Sequence, residues 1–114
     1  MNRLFAMLVG HALADYPLQG DFLAKAKNRD APIPGVPWWQ GLGAHALIHG
    51  GMVALVTKSN ALGVAEMAIH AITDDLKCRG KLSYNQDQAI HIGCKVLWAL
   101  LAPATAIRDE RAGG

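Results

Sequence analysis

Four pairs of side chains able to carry protons or hold a metal recur at a single spacing along this sequence. His11 stands four residues before Asp15, His45 before His49, His70 before Asp74, and Asp87 before His91, so that all five histidines are accounted for. Residues four apart lie one above the other on the same face of an α-helix. Each pair therefore offers two ligands to one point, as the paired histidines of HExxH helices do. Imidazole and carboxylate together suit divalent transition ions, whereas all-oxygen sets suit Mg and Ca. The candidate metal ligands are His11, Asp15, His45, His49, His70, Asp74, Asp87 and His91, enough for one or two ions, with Zn or Mn expected.

His and Asp together number 12 of the 114 residues, and four independent pairs at this spacing arise by accident in roughly one chain in a thousand. The surroundings add weight. His45 and His49 sit among Leu42, Ala44, Leu47, Ile48 and Met52, and His70 among Ala68, Ile69, Ala71 and Ile72. Polar groups in such company are costly to bury unless they are paired or coordinate a metal. The competing reading is a metal-free network in which His donates to Asp.

With ions bound, the expected chemistry is hydrolysis of a phosphoester or phosphodiester, a small nucleotide among the conceivable substrates, in a two-metal centre. Lys77, three residues after Asp74, and Lys25 are the candidates to hold phosphoryl oxygens, and Asp75 or Asp21 to accept a proton. The catalytic expectations are thus Asp75, Lys77 and Lys25, with no organic cofactor. Ferritin-like oxygen-activating bundles rely on Glu and ExxH motifs, and this chain has only Glu66 and Glu110. Cys78 and Cys94 fall near the pairs and read as buried structural thiols.

The elements needed to position these pairs are helices. Period-2 alternation never persists, so strands are not expected. Helices are predicted over Arg3 to Asp15, ended by Pro17; over Asp21 to Asn28; from Pro37 or Trp38 to Lys58; from Ala61 to about Cys78, stopped near Gly80; and from Tyr84 or Asn85 to Leu101. A proline-rich loop spans Arg29 to Pro37. It is expected to be a stiff connector, with Trp38 and Trp39 covering the core, rather than a lid. The fold class that follows is all-α: a compact bundle of four main helices plus a short one, the His/Asp pairs facing the centre. A single metal-binding domain is expected over 1–107, with a flexible tail over 108–114.

A chain of 114 residues has room for one core. A net charge of +2 without a basic block gives no strong nucleic-acid signal. Two cysteines outside any CxxC pair make neither a disulfide framework nor a redox motif, which fits a reducing, cytoplasmic compartment. The apolar stretch after Arg3 imitates a signal peptide, but His11 and Asp15 interrupt or bound it and no small-residue cleavage site follows. Mean hydropathy is +0.17, below what a set of membrane spans needs. Homo-oligomerisation is expected on size alone.

The stretch from His11 through Asp15, Pro17, Gln19, Asp21 and Phe22, with Lys25 and Lys27 behind it, resembles the start of the DUF3307 family of bacterial and phage proteins. The likeness continues through His45 and His49, then His70, Asp74, Asp75 and Lys77, then Asp87, Gln88 and His91. The family motif maps to His11, Asp15, Gln19, Asp21, Lys25, His45, His49, His70, Asp74, Lys77, Asp87, Gln88 and His91. The resemblance implies a membrane-associated protein and brings no established activity with it. The alternative to the hydrolase is accordingly a non-enzymatic, membrane-associated protein that binds a metal or ligand.

Overall fold

Asn2, Ser59 and Ser83 each open a helix by the same device, a short polar side chain accepting a hydrogen bond from a backbone N–H that the first turn leaves unpaired. Asn2 takes the N–H of Phe5 at 2.8 Å, Ser59 that of Leu62 at 3.2 Å, and Ser83 that of Gln86 at 3.0 Å. Gln86 returns a bond to the Ser83 N–H, completing a capping box. The computed structural model describes residues 2–102. It contains five helices: α1 (Arg3–Asp15), α2 (Gly20–Ala26), α3 (Trp38–Thr57), α4 (Asn60–Cys78) and α5 (Tyr84–Leu101). No strand occurs among the described residues, and the expected all-α bundle of four long helices and a short one is the fold observed. The proposed tail at 108–114 lies outside the described residues.

The long helices run where the sequence places them, to within a residue or so at each end. α2 differs more. It begins at Gly20, without a side-chain cap, and stops at Ala26, because its two turns carry little to define their limits. Between α3 and α4 the turn passes through Lys58 at φ 57, a left-handed position that allows α4 to start at once and fold back.

α3 is the central element, packed on α1, α2, α4 and α5, with its largest interface against α4. Small residues permit that closeness. A Cβ added at Gly50 would lie 2.6 Å from the carbonyl oxygen of Gly63, and one at Gly63 would lie 2.7 Å from that of Gly50. Gly41 likewise admits Ala26 of α2, at 2.8 Å from its would-be Cβ.

The interior this creates is polar. The buried apolar cluster is confined to Met7, Val53 and Trp98 with half-buried neighbours, whereas His45, His49, His70, His91, Glu66, Asp74, Asp87 and Lys95 are all at most 1% exposed. Large apolar side chains face outward on every long helix, among them Phe5, Leu55, Ile72 and Leu100. Trp38 does not cover the core as expected, but is half-buried with the Arg29 guanidinium 4.0 Å over its ring. Trp39 is 60% exposed, because the next helix position turns it about 100° away.

Candidate metal centre

Each long helix delivers its pair from one inward-facing row, buried throughout except at Asp15, which is partly exposed. The rows are Met7, His11 and Asp15 on α1; His45, His49 and Val53 on α3; Glu66, His70 and Asp74 on α4; and Asp87, His91 and Lys95 on α5. The four-residue spacing thus sets which face of each helix points inward, and the apolar residues do not.

All five imidazoles meet. The His49 and His70 rings are stacked with centroids 3.7 Å apart, His70 and His91 are 4.0 Å apart, His45 lies 4.7 Å from His49, and His11 5.3 Å from His49. Two groups bring ligand atoms within 4.8 Å of one another: Asp15, His45, His49 and His70, and separately Glu66, His70 and His91. His70 belongs to both.

Asp15 is the anionic focus of the first group. Its Oδ1 accepts from His49 Nε2 at 2.7 Å and lies 3.3 Å from His45 Nε2, while its Oδ2 accepts from Gln88 Nε2 at 2.9 Å. Tetrahedral zinc at about 2.0–2.1 Å from nitrogen or oxygen spaces its ligand atoms by roughly 3.3 Å, against 2.7 and 3.3 Å from Asp15 Oδ1 to the His49 and His45 nitrogens and no more than 4.8 Å across the group. His45 and His70 make no hydrogen bond at either ring nitrogen although both are buried. Buried polar atoms without partners are uncommon in folded proteins, and a bound cation would satisfy them. The donor set fits a divalent transition ion.

Electrostatics agree. Burial pushes the His11, His49 and His70 imidazoles below their ordinary value, His49 to about 4, which keeps them neutral and able to donate a lone pair at neutral pH. Burial alone would raise Asp15, but His45, His49 and Gln88 outweigh it and hold the carboxyl well below the usual carboxylate range.

The remaining pair members stand around these ligands. His11 Nε2 donates to Gln88 Oε1 at 2.9 Å, and His91 Nε2 donates to Asp87 Oδ1 at 3.0 Å, the carboxylate–histidine contact that orients metal-ligating imidazoles. Asp74 accepts from Lys27 at 2.7 Å, lies 3.2 Å from Lys77 Nζ and 3.6 Å from His45 Nε2. Burial opposes its ionisation, but Lys27 and Lys77 hold its carboxyl below the ordinary value. Lys77 also approaches Asp87 at 3.9 Å, and the two carboxylates raise its ammonium despite partial burial.

Three residues singled out from sequence stand apart. Lys25 is exposed, and the lysine that enters the interior is Lys27, 3% exposed and bonded to Gln19 and Asp74. Asp75, one position round α4 from Asp74, accepts two bonds from Arg29 at 3.0 and 2.7 Å, on the groove beside Trp38. Asp21 is exposed on α2. Cys78 and Cys94 are free and half-buried, their thiols raised by burial. Glu66 and Lys95 were overlooked, yet the same spacing reaches them: Glu66 is four before His70 and Lys95 four after His91.

These features define a class, an all-α bundle whose centre is a histidine–carboxylate cluster able to hold a metal in place of an extended apolar core. The chain belongs to DUF3307, a family described as "Protein of unknown function", whose profile matches residues 3–108. No curated protein and no solved structure matches it.

Proposed function

We propose that this protein is a metal-dependent hydrolase acting on a phosphoester or phosphodiester, with Asp15, His45, His49 and His70 as ligands of a divalent transition ion, Zn or Mn. The observation that carries this reading is the convergence of those four side chains beside a second carboxylate, Asp74, and the lysine pair Lys27 and Lys77. A divalent ion in such a site supplies Lewis acidity and lowers the pKa of a coordinated water toward neutrality.

The chain's own groups supply the rest. Asp74, 3.6 Å from His45, is the carboxylate we assign to take a proton, and because Lys27 and Lys77 lower its basicity it can do so only from a strongly acidified donor. It assumes the role that Asp75, committed to Arg29, leaves vacant. Lys77 is the charged group at the edge of the cluster with a solvent-facing side chain, 25% exposed, where it can meet a phosphoryl oxygen. Asp15 is also partly open, its side chain 11% exposed. Purified protein supplied with Zn or Mn should hydrolyse a member of a phosphomonoester, phosphodiester and cyclic-nucleotide panel, stop on chelation, and lose turnover on Asp74→Asn. Metal-loaded protein without turnover on any of the three classes rejects the enzymatic reading.

The outward apolar residues favour a second reading, a membrane-associated protein in which the metal is structural. No described helix is long and apolar enough to cross a membrane, so association would be through the surface of the bundle. Dependence of extraction on detergent, with bound metal and no turnover, is the result that selects it.

A further inference from the structure

We propose that the Glu66–His70–His91 cluster is a latent second divalent-metal site, kept closed in this chain by the ammonium of its own Lys95. The proposal rests on the metal-binding reading above and adds the stoichiometry: one ion, in the Asp15 group.

Lys95 and Glu66 are each 1% exposed and form an ion pair through Glu66 Oε1. That same oxygen is the one facing His70, 3.6 Å from its Nδ1. The other oxygen, Oε2, is fixed by the Trp98 indole N–H at 2.7 Å. Glu66 is therefore held with one oxygen turned toward the two histidines. His91 completes the set, since its Nε2 is engaged by Asp87 while its Nδ1 has no hydrogen-bond partner. A carboxylate, two imidazoles and an orienting carboxylate behind one of them make a three-ligand site of the kind transition ions occupy.

The cation found there is a lysine. A fully buried lysine is rare unless paired, and this one pairs with the very oxygen a metal would require. An ion on that oxygen would stand beside the ammonium in a water-poor interior, where repulsion between like charges is weakly screened, so the bound ammonium disfavours it. Asp15 differs in that its partners are imidazoles and the Gln88 amide. The two groups share His70, so filling both would require its ring to bridge two ions as an imidazolate, its N–H proton released to solvent, whereas the covalently attached charge of Lys95 leaves the His70 lone pair free for one exchangeable ion in the Asp15 group. Lys95 supplies part of the charge neutralisation that a second ion would bring, and does so without depending on metal supply.

The test is metal content by elemental analysis after Zn or Co(II) loading and gel filtration. Wild-type protein should carry one ion per chain, Lys95→Met two, and Lys95→Met/Glu66→Gln one again, because the second carboxylate ligand is gone. A Lys95→Met chain that folds only when given two equivalents of ion supports the proposal equally, and one that stays unfolded under that condition overturns it. Two ions in the wild type, or one in Lys95→Met, overturns the lysine's role and leaves the metal centre standing. No ion in any of the three removes the metal-binding reading itself, and this proposal with it.

Discussion

The close crossing of α3 and α4 is what brings His45 and His49 against His70, and one methyl group tests it. In Gly50→Ala the new Cβ would sit 2.6 Å from the Gly63 carbonyl oxygen, with Met67 Cγ also in its way. Met67 is flexible, but the carbonyl belongs to the backbone of α4 and must retreat by roughly 0.8 Å to restore ordinary contact. Overpacking of this kind costs about 1–3 kcal/mol, against which alanine gains about 1 kcal/mol in helix propensity. Gly51→Ala is the control, since it shares that gain and its Cβ would meet nothing within 4 Å. The difference between the two neighbours isolates the contact, at about 1–3 kcal/mol, and urea unfolding in the presence of chelator measures it. Gly51→Ala should be more stable than wild type. Metal affinity should fall only in Gly50→Ala, because the 3.7 Å stack of His49 on His70 spans the same interface. Equal stability of the two variants would refute the helix crossing and the site geometry built on it.

Three further outcomes follow from the buried charges. Glu66→Gln or Lys95→Met alone should each destabilise the metal-free protein by about 3–5 kcal/mol, and the double variant by much less, since removing one partner strands a buried charge; additive costs in a double-mutant cycle contradict the pairing. Asp15→Asn should weaken metal binding by about tenfold or more, whereas Asp75→Asn, bound to Arg29 away from the cluster, should leave it within about twofold, as read by competition with a chromophoric chelator. The metal-free protein should lose stability as pH falls from about 6.5 through about 4: His49 is held neutral by burial down to about 4 in the fold but takes a proton near 6.5 when unfolded. The depressed carboxyls of Asp15 and Asp74 contribute their losses only below the ordinary carboxylate range, so a urea midpoint that is flat between pH 7.5 and 4 contradicts the burial of the imidazoles.

The interior was legible from sequence because histidine and aspartate, not leucine, carry the helix phase here. α3 is apolar all round, with Leu47 and Leu55 exposed and His45 and His49 buried, so apolar periodicity alone would leave its orientation open. The same four-residue rule, extended one turn, reaches Glu66 and Lys95. Neither is a His or an Asp, the two residue types that define the pairs, so the pair pattern by itself stops short of them. The choice between Lys25 and Lys27 depended on how α2 docks through Ala26 against Gly41, a tertiary contact that a two-turn helix does not announce. Asp74 and Asp75 differ by about 100° of helix rotation, and the partner that separates them, Arg29, comes from the loop after α2, whose path no periodicity describes.

Elemental analysis of wild-type protein beside His49→Ala tests the central claim most directly. The wild type, purified after growth in metal-supplemented medium, should hold a stoichiometric transition ion, and the variant should lose most of it while remaining folded by circular dichroism. A folded wild type without a transition ion, or a variant that keeps the full complement, contradicts a metal centre built on Asp15, His45, His49 and His70.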